Sequence, residues 1–119
     1  YALLEEVLPK LQAIAAKQYV PDTKTVLKTV TEFQSMDEVP GTAALLQLVQ
    51  EAAAECSLPQ PTAKAVGGGS DSAYATAAGV PTICALGVQG ARNHTAEEFA
   101  VVDTLFSRCK LFATIMLNI

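Results

Sequence analysis

His94 is the only histidine of the chain, and it stands in RNHTAEEF, residues 92–99, beside the hydroxyl of Thr95 and the carboxylates of Glu97 and Glu98. A neutral imidazole is the commonest protein ligand for a transition metal, so this is the first candidate for chemistry. The second is the run Gly67, Gly68, Gly69, followed by Ser70 and Asp71. Without a Cβ these glycines can take φ > 0 and bring backbone N–H groups close to a ligand. Ser70 and Asp71 are helix-capping residue types, and the first N–H groups of a helix, with its dipole, favour a carboxylate or phosphate. Each feature has a plainer reading when taken singly: a lone histidine at a helix start is usually a solvated or capping residue, and a lone glycine loop is a weak signal. Their succession within residues 67–94 is what points to a built site.

These groups need elements to hold them. Ser72 to Ala78 is rich in helix formers and Gly79 follows, which predicts a short helix with a glycine stop. Val80 to Leu86 (VPTICAL) reads as a short buried strand, and Thr62 to Val66 as the strand that delivers the glycine loop. Thr95 and Glu98 have capping-box spacing, so a helix is expected to start there and hold His94 at the carboxyl edge of a sheet. Ala43 to Cys56 is a strong amphipathic helix with Thr42 as its cap. A last helix runs from Asp103 to the end, with Leu105, Phe106, Cys109, Leu111, Phe112, Ile115 and Met116 expected to be buried. Upstream, Ala2 to Gln18 carries a helical stripe of Leu3, Leu4, Val7, Leu8, Leu11, Ile14 and Ala15. Pro9 should either kink this helix or start it. Thr23 to Gln34, rich in Thr and Val, reads as a half-exposed strand. Between Ser35 and Gly41 the sequence is acidic and without periodicity, which suggests a linker between lobes. Alternation of helices with short strands in the second part predicts an α/β layered sheet.

Composition narrows the partners. Hydrophobic residues make up 50% and charged residues 17% of the 119 positions, whereas soluble domains carry about 25% charged residues. Such an excess of apolar surface is expected where faces belong against further elements. No apolar run reaches the roughly 20 residues of a membrane span, and no membrane partner is expected. A net charge of −4 without a cluster of Lys or Arg argues against nucleic acid. Cys56, Cys84 and Cys109 are odd in number and widely spaced, so they read as buried free thiols. They are compatible with a reducing compartment, and the cytoplasm is the expected location.

The motifs GGGSDSAY (67–74), GVPT (79–82), LG (86–87) and GARNHTAEEF (90–99) together resemble the closing segment of the two-zinc exopeptidases of the acetylornithine deacetylase, succinyl-diaminopimelate desuccinylase and carboxypeptidase G family. The resemblance implies an α/β fold. Residues 1–36 would be the last helix and strand of an α+β lid that carries a homodimer interface, residues 37–41 a hinge, and residues 42–119 the C-terminal part of an α/β/α catalytic domain. It implies zinc-dependent hydrolysis of a peptide or an N-acyl amino acid, with two zinc ions per complete site. His94 would be the final metal ligand, and Gly67, Gly68, Gly69 and Ser70 would bind substrate. The other ligands and the catalytic base would lie upstream, so the segment itself would hold no catalytic residue and be inactive alone. Relatives often place an arginine in the lid to hold a substrate carboxylate; here Thr23 to Gly41 offers only Lys24 and Lys28, and Arg92 is the nearest alternative. The competing expectation is a metal-free α/β module whose glycine loop binds an anion. Ser-Asp after the glycines, in place of the lysine of a phosphate loop, disfavours it.

Overall fold

The computed structural model describes residues 4–31 and 33–119. The chain divides into two compact units, Tyr1–Glu32 and Phe33–Ile119, with the linker expected at residues 37–41 inside the second.

Among its described residues the first unit contains one helix, α1 (Leu4–Ala15), which runs through Pro9 rather than starting there. Proline has no N–H, so the carbonyl of Glu5 loses its usual partner one turn later. Glu5 and Glu6 lie in the first turn, where carboxylates suit the helix dipole. Val7, Leu8 and Ala15 are half-buried, while Leu11 and Ile14 are exposed. Ala2 and Leu3 of the expected helix lie outside the described residues. A turn follows, in which the Thr23 N–H and hydroxyl both donate to the Val20 carbonyl (3.3 and 2.7 Å). The strand expected over Thr23 to Gln34 is not formed among the described residues; Glu32 lies outside them. A strand is stabilised only by a neighbour that exchanges N–H and C=O groups with it, and no described segment does so here. Val26 and Val30 are accordingly exposed at 74% and 84%.

The second unit is built on α2 (Thr42–Glu55) and α4 (Val102–Leu117), with the short α3 (Ser72–Ala77) and the strands β1 (Gly90–Ala91) and β2 (Phe99–Ala100) between them. Its core is Val49, Ala52 and Ala53 of α2 against Leu111 and Ile115 of α4, flanked by Leu48, Leu58, Ile83 and Leu86. The two alanines carry almost no bulk, so α4 can lay Leu111 and Ile115 directly on the α2 surface. Cys56 Sγ lies 3.3 Å from Thr114 Oγ1 and joins the same two helices at their ends.

Both α2 and α3 end in the same way. Ser57 (φ 58°) and Gly79 (φ 80°) take left-handed conformations. Leu58 N–H then bonds Ala53 O (2.8 Å) and Ser57 N–H bonds Ala54 O (2.9 Å), while Val80 N–H bonds Ala75 O (3.0 Å) and Gly79 N–H bonds Thr76 O (2.9 Å). This double closure satisfies the last carbonyls of each helix. The glycine stop expected at Gly79 is therefore present.

Several expectations are corrected. Thr42 does not cap α2: the N-cap is Gly41 without a side-chain bond, and the Thr42 hydroxyl accepts instead from Val39 N–H (3.1 Å). The strands expected at Thr62 to Val66 and Val80 to Leu86 form no ladder, so the layered sheet is replaced among the described residues by one antiparallel pair. Neither segment has a second strand alongside it to complete its hydrogen bonds. No helix starts at Thr95; the chain makes turns there and enters β2. On α4 only Leu111 and Ile115 are buried, whereas Phe106 and Met116 are exposed at 73% and 68%, and Leu105, Cys109 and Phe112 are exposed too. The reason is geometric: α2 is the one described helix against α4, and it covers a single stripe. Of the cysteines, Cys56 is buried but Cys84 and Cys109 are exposed, all three as free thiols. Among the described residues no helix is long and apolar enough to cross a membrane.

Candidate functional site

His94 sits in the loop of a hairpin. The pairs Gly90↔Ala100 and Ala91↔Phe99 close its base, and Val101 N–H to Gln89 O (2.8 Å) extends the closure. Gln89 N–H in turn donates to Thr104 Oγ1 (2.9 Å) in the first turn of α4, which braces the hairpin on a long helix. Gly90 is required by this geometry, because a Cβ there would collide with the carbonyl oxygen of Phe99.

Inside the loop, residues 92–98 bond mainly to one another. Thr95 N–H and Thr95 Oγ1 both donate to the Arg92 carbonyl (3.2 and 2.7 Å). Thr95 Oγ1 also accepts from Glu97 N–H (3.2 Å), and Glu98 N–H donates to Thr95 O (3.2 Å). Arg92 and Glu97 form an exposed ion pair. The Glu98 carboxylate reaches back to accept from His94 N–H at 3.3 Å. The pattern is that of a capping box shifted by one residue, since the carboxylate meets the N–H before the threonine instead of the threonine's own. Arg92 and His94 both have left-handed backbones (φ 61° and 64°). The imidazole is exposed and bonds to no described residue. An open depression of the same hairpin is lined by Val88, Gly90, Asn93, Glu98, Phe99 and Ala100.

The glycine loop is a different object. None of Gly67, Gly68 and Gly69 takes a positive φ, and a Cβ on Gly67 or Gly68 would meet open space. The conformational freedom expected of them is therefore unused; only at Gly69 would a Cβ press on a neighbour, the ring of Phe33 at 3.3 Å. Their N–H groups donate to no described residue. The start of α3, by contrast, is already satisfied. Ser72 N–H bonds Ser70 Oγ (3.2 Å), Ala73 N–H bonds Ser70 O (3.0 Å) and Tyr74 N–H bonds Asp71 O (3.1 Å). Asp71 makes no side-chain cap, so the capping oxygen comes from Ser70 alone. No described hydrogen bond or ion pair joins this loop to the hairpin of His94.

Sequence reasoning missed Cys84. Its sulfur lies 3.2 Å from Ser70 Oγ at the exposed end of the glycine loop. The Ser70 hydroxyl, and after it the Ser72 hydroxyl, hold the thiol pKa below its ordinary value, against a small opposing effect of burial. Nothing in the spacing of positions 70 and 84 signals the encounter, which depends on how α3 and the segment after it turn back.

The model of peptidase family M20/M25/M40 matches residues 12–118. The chain belongs to this family. M20/M25/M40 proteins are in general metal-dependent peptidases and amidohydrolases. No curated protein and no solved structure matches the chain. A protein zinc centre is built from three or four donors of the His, Cys, Asp or Glu type. Among the described residues no three such side chains converge to hold an ion. A lone imidazole offers a metal a single donor nitrogen, and the described residues alone do not fit a complete centre.

Proposed function

We propose that the chain serves a zinc-dependent hydrolase of an amide or peptide bond, of the carboxypeptidase or deacylase type. In this reading His94 supplies one ligand of a two-zinc site, and Gly67, Gly68, Gly69 and Ser70 form the loop that meets a peptide or N-acyl amino acid. The observation that carries it is the pairing of the M20/M25/M40 match with a histidine raised at the tip of a hydrogen-bonded hairpin braced on α4. The uncommitted N–H groups of the three glycines support the second role, since they can donate to a substrate carboxylate or carbonyl without first breaking an internal bond. Residues 1–36 would belong to a lid through which two copies pair, residues 37–41 to a hinge, and residues 42–119 to the catalytic part.

One imidazole binds zinc weakly, so the purified chain is expected to hold less than stoichiometric zinc and to show no peptidase or amidase activity above background. In the complete protein, His94→Ala should remove most turnover and leave the circular dichroism spectrum unchanged. Full turnover in that variant would remove the ligand assignment.

A further inference from the structure

The loop that carries His94 contains more internal bonding than a turn of its length needs to reverse the chain. The β1–β2 ladder already closes the base, and the Thr95 to Arg92 bonds already close the first turn. Glu98 contributes its side chain to neither. Its carboxylate oxygen goes instead to the N–H of His94, the residue whose left-handed backbone decides where the imidazole points. A residue with a Cβ adopts this conformation at a steric cost, which the Thr95 N–H to Arg92 O turn bond and the Glu98 carboxylate on the His94 amide act together to offset.

We propose that Glu98 is a positioning residue for His94, acting through the main chain: its carboxylate pins the His94 amide and so keeps the backbone left-handed and the imidazole projecting from the hairpin. The Arg92–Glu97 ion pair spans the same stretch, so a second side-chain contact ties residues 92–97 together around His94. This rests on the reading of His94 as a ligand, because only a side chain with a fixed task gains from a fixed direction. The carboxylate itself meets neither metal nor substrate in this scheme. What it supplies is an acceptor at one place, which glutamine can also supply and alanine cannot.

The test is nuclear magnetic resonance on the labelled chain, where the single histidine makes the assignment unambiguous. A left-handed residue has its amide and α protons unusually close, so wild-type His94 should show an intense intraresidue cross peak. Glu98→Ala should weaken that peak severalfold and speed exchange of the His94 amide, and Glu98→Gln should restore both. A Glu98→Ala variant that keeps the wild-type peak overturns the proposal, as does a Glu98→Gln variant as perturbed as Glu98→Ala. If Glu98→Ala also loses protection across Gly90–Ala100, the glutamine variant decides alone: recovery of ladder and peak together supports the acceptor role, and recovery of neither removes it. These outcomes are independent of the turnover of His94→Ala in the complete protein, so failure of the ligand reading and failure of the positioning role would be seen separately.

Discussion

The two loops of the candidate site reach definition by opposite routes. Residues 92–98 have no glycine, and their hydroxyl, carboxylate and guanidinium groups bond back within the loop, accommodating two left-handed residues. Residues 67–69 are all glycine, take no left-handed conformation and donate no backbone bond to the described residues. One loop fixes its shape with side chains; the other removes side chains and leaves its donors uncommitted. A ligand that must be approached in one direction suits the first, and a substrate that must lie against bare backbone suits the second.

The contrast can be broken most sharply at Gly90. A methyl group there collides with Phe99 O, so Gly90→Ala should destabilise the hairpin by about 1–3 kcal/mol, the usual cost of overpacking. Amide exchange should then show lost protection at Gly90–Val101 while the α2–α4 core keeps its own. A smaller effect is expected at Ser70, where the hydroxyl both caps α3 and faces Cys84. Ser70→Ala should cost about 1 kcal/mol as a lost cap. It should also raise the Cys84 pKa, because the hydroxyl that stabilises the thiolate is gone. The sign follows directly: in the wild type Cys84 ionises at lower pH than an ordinary thiol, so its alkylation should persist as pH falls toward neutrality. In the Ser70→Ala variant the rate–pH curve should move to higher pH, and an unmoved curve would refute the contact. The smallest stability effect is expected at Gly67, where Gly67→Ala should stay within about 0.5 kcal/mol in denaturant melts, since nothing lies in reach of the new methyl. If bare backbone there matters for substrate, the same variant in the complete protein should raise KM with little change in kcat.

Legibility in the sequence followed locality. Helix α2, the last helix and the glycine stop at Gly79 depend on residues within a turn or two of each other, and their positions are read within one or two residues. The family was legible too, since its motifs lie in order along residues 67–99. Strands were not, because Thr62 to Val66 and Val80 to Leu86 carry strand composition but depend on neighbours that composition does not provide. The Thr95 and Glu98 pair signalled a helix start correctly in chemistry and wrongly in outcome. Its bonds form shifted by one residue and serve a turn, because Phe99 and Ala100 are committed to the ladder with Gly90 and Ala91. Exposure along α4 was legible only in part: Leu111 and Ile115 are buried as expected, but periodicity marks a face as apolar without saying what stands opposite the rest of it.

The core described above also sets a timetable for synthesis. Cys56 and Thr114 are 58 positions apart, yet they meet across the packed surface of α2 and α4. On the ribosome, α2 would therefore emerge with Val49, Ala52 and Ala53 uncovered and wait until Leu111 and Ile115 are made. At about 5–20 residues per second that interval lasts several seconds, long on the scale of helix formation. During it the apolar stripe of α2 lacks the cover that Leu111 and Ile115 later provide.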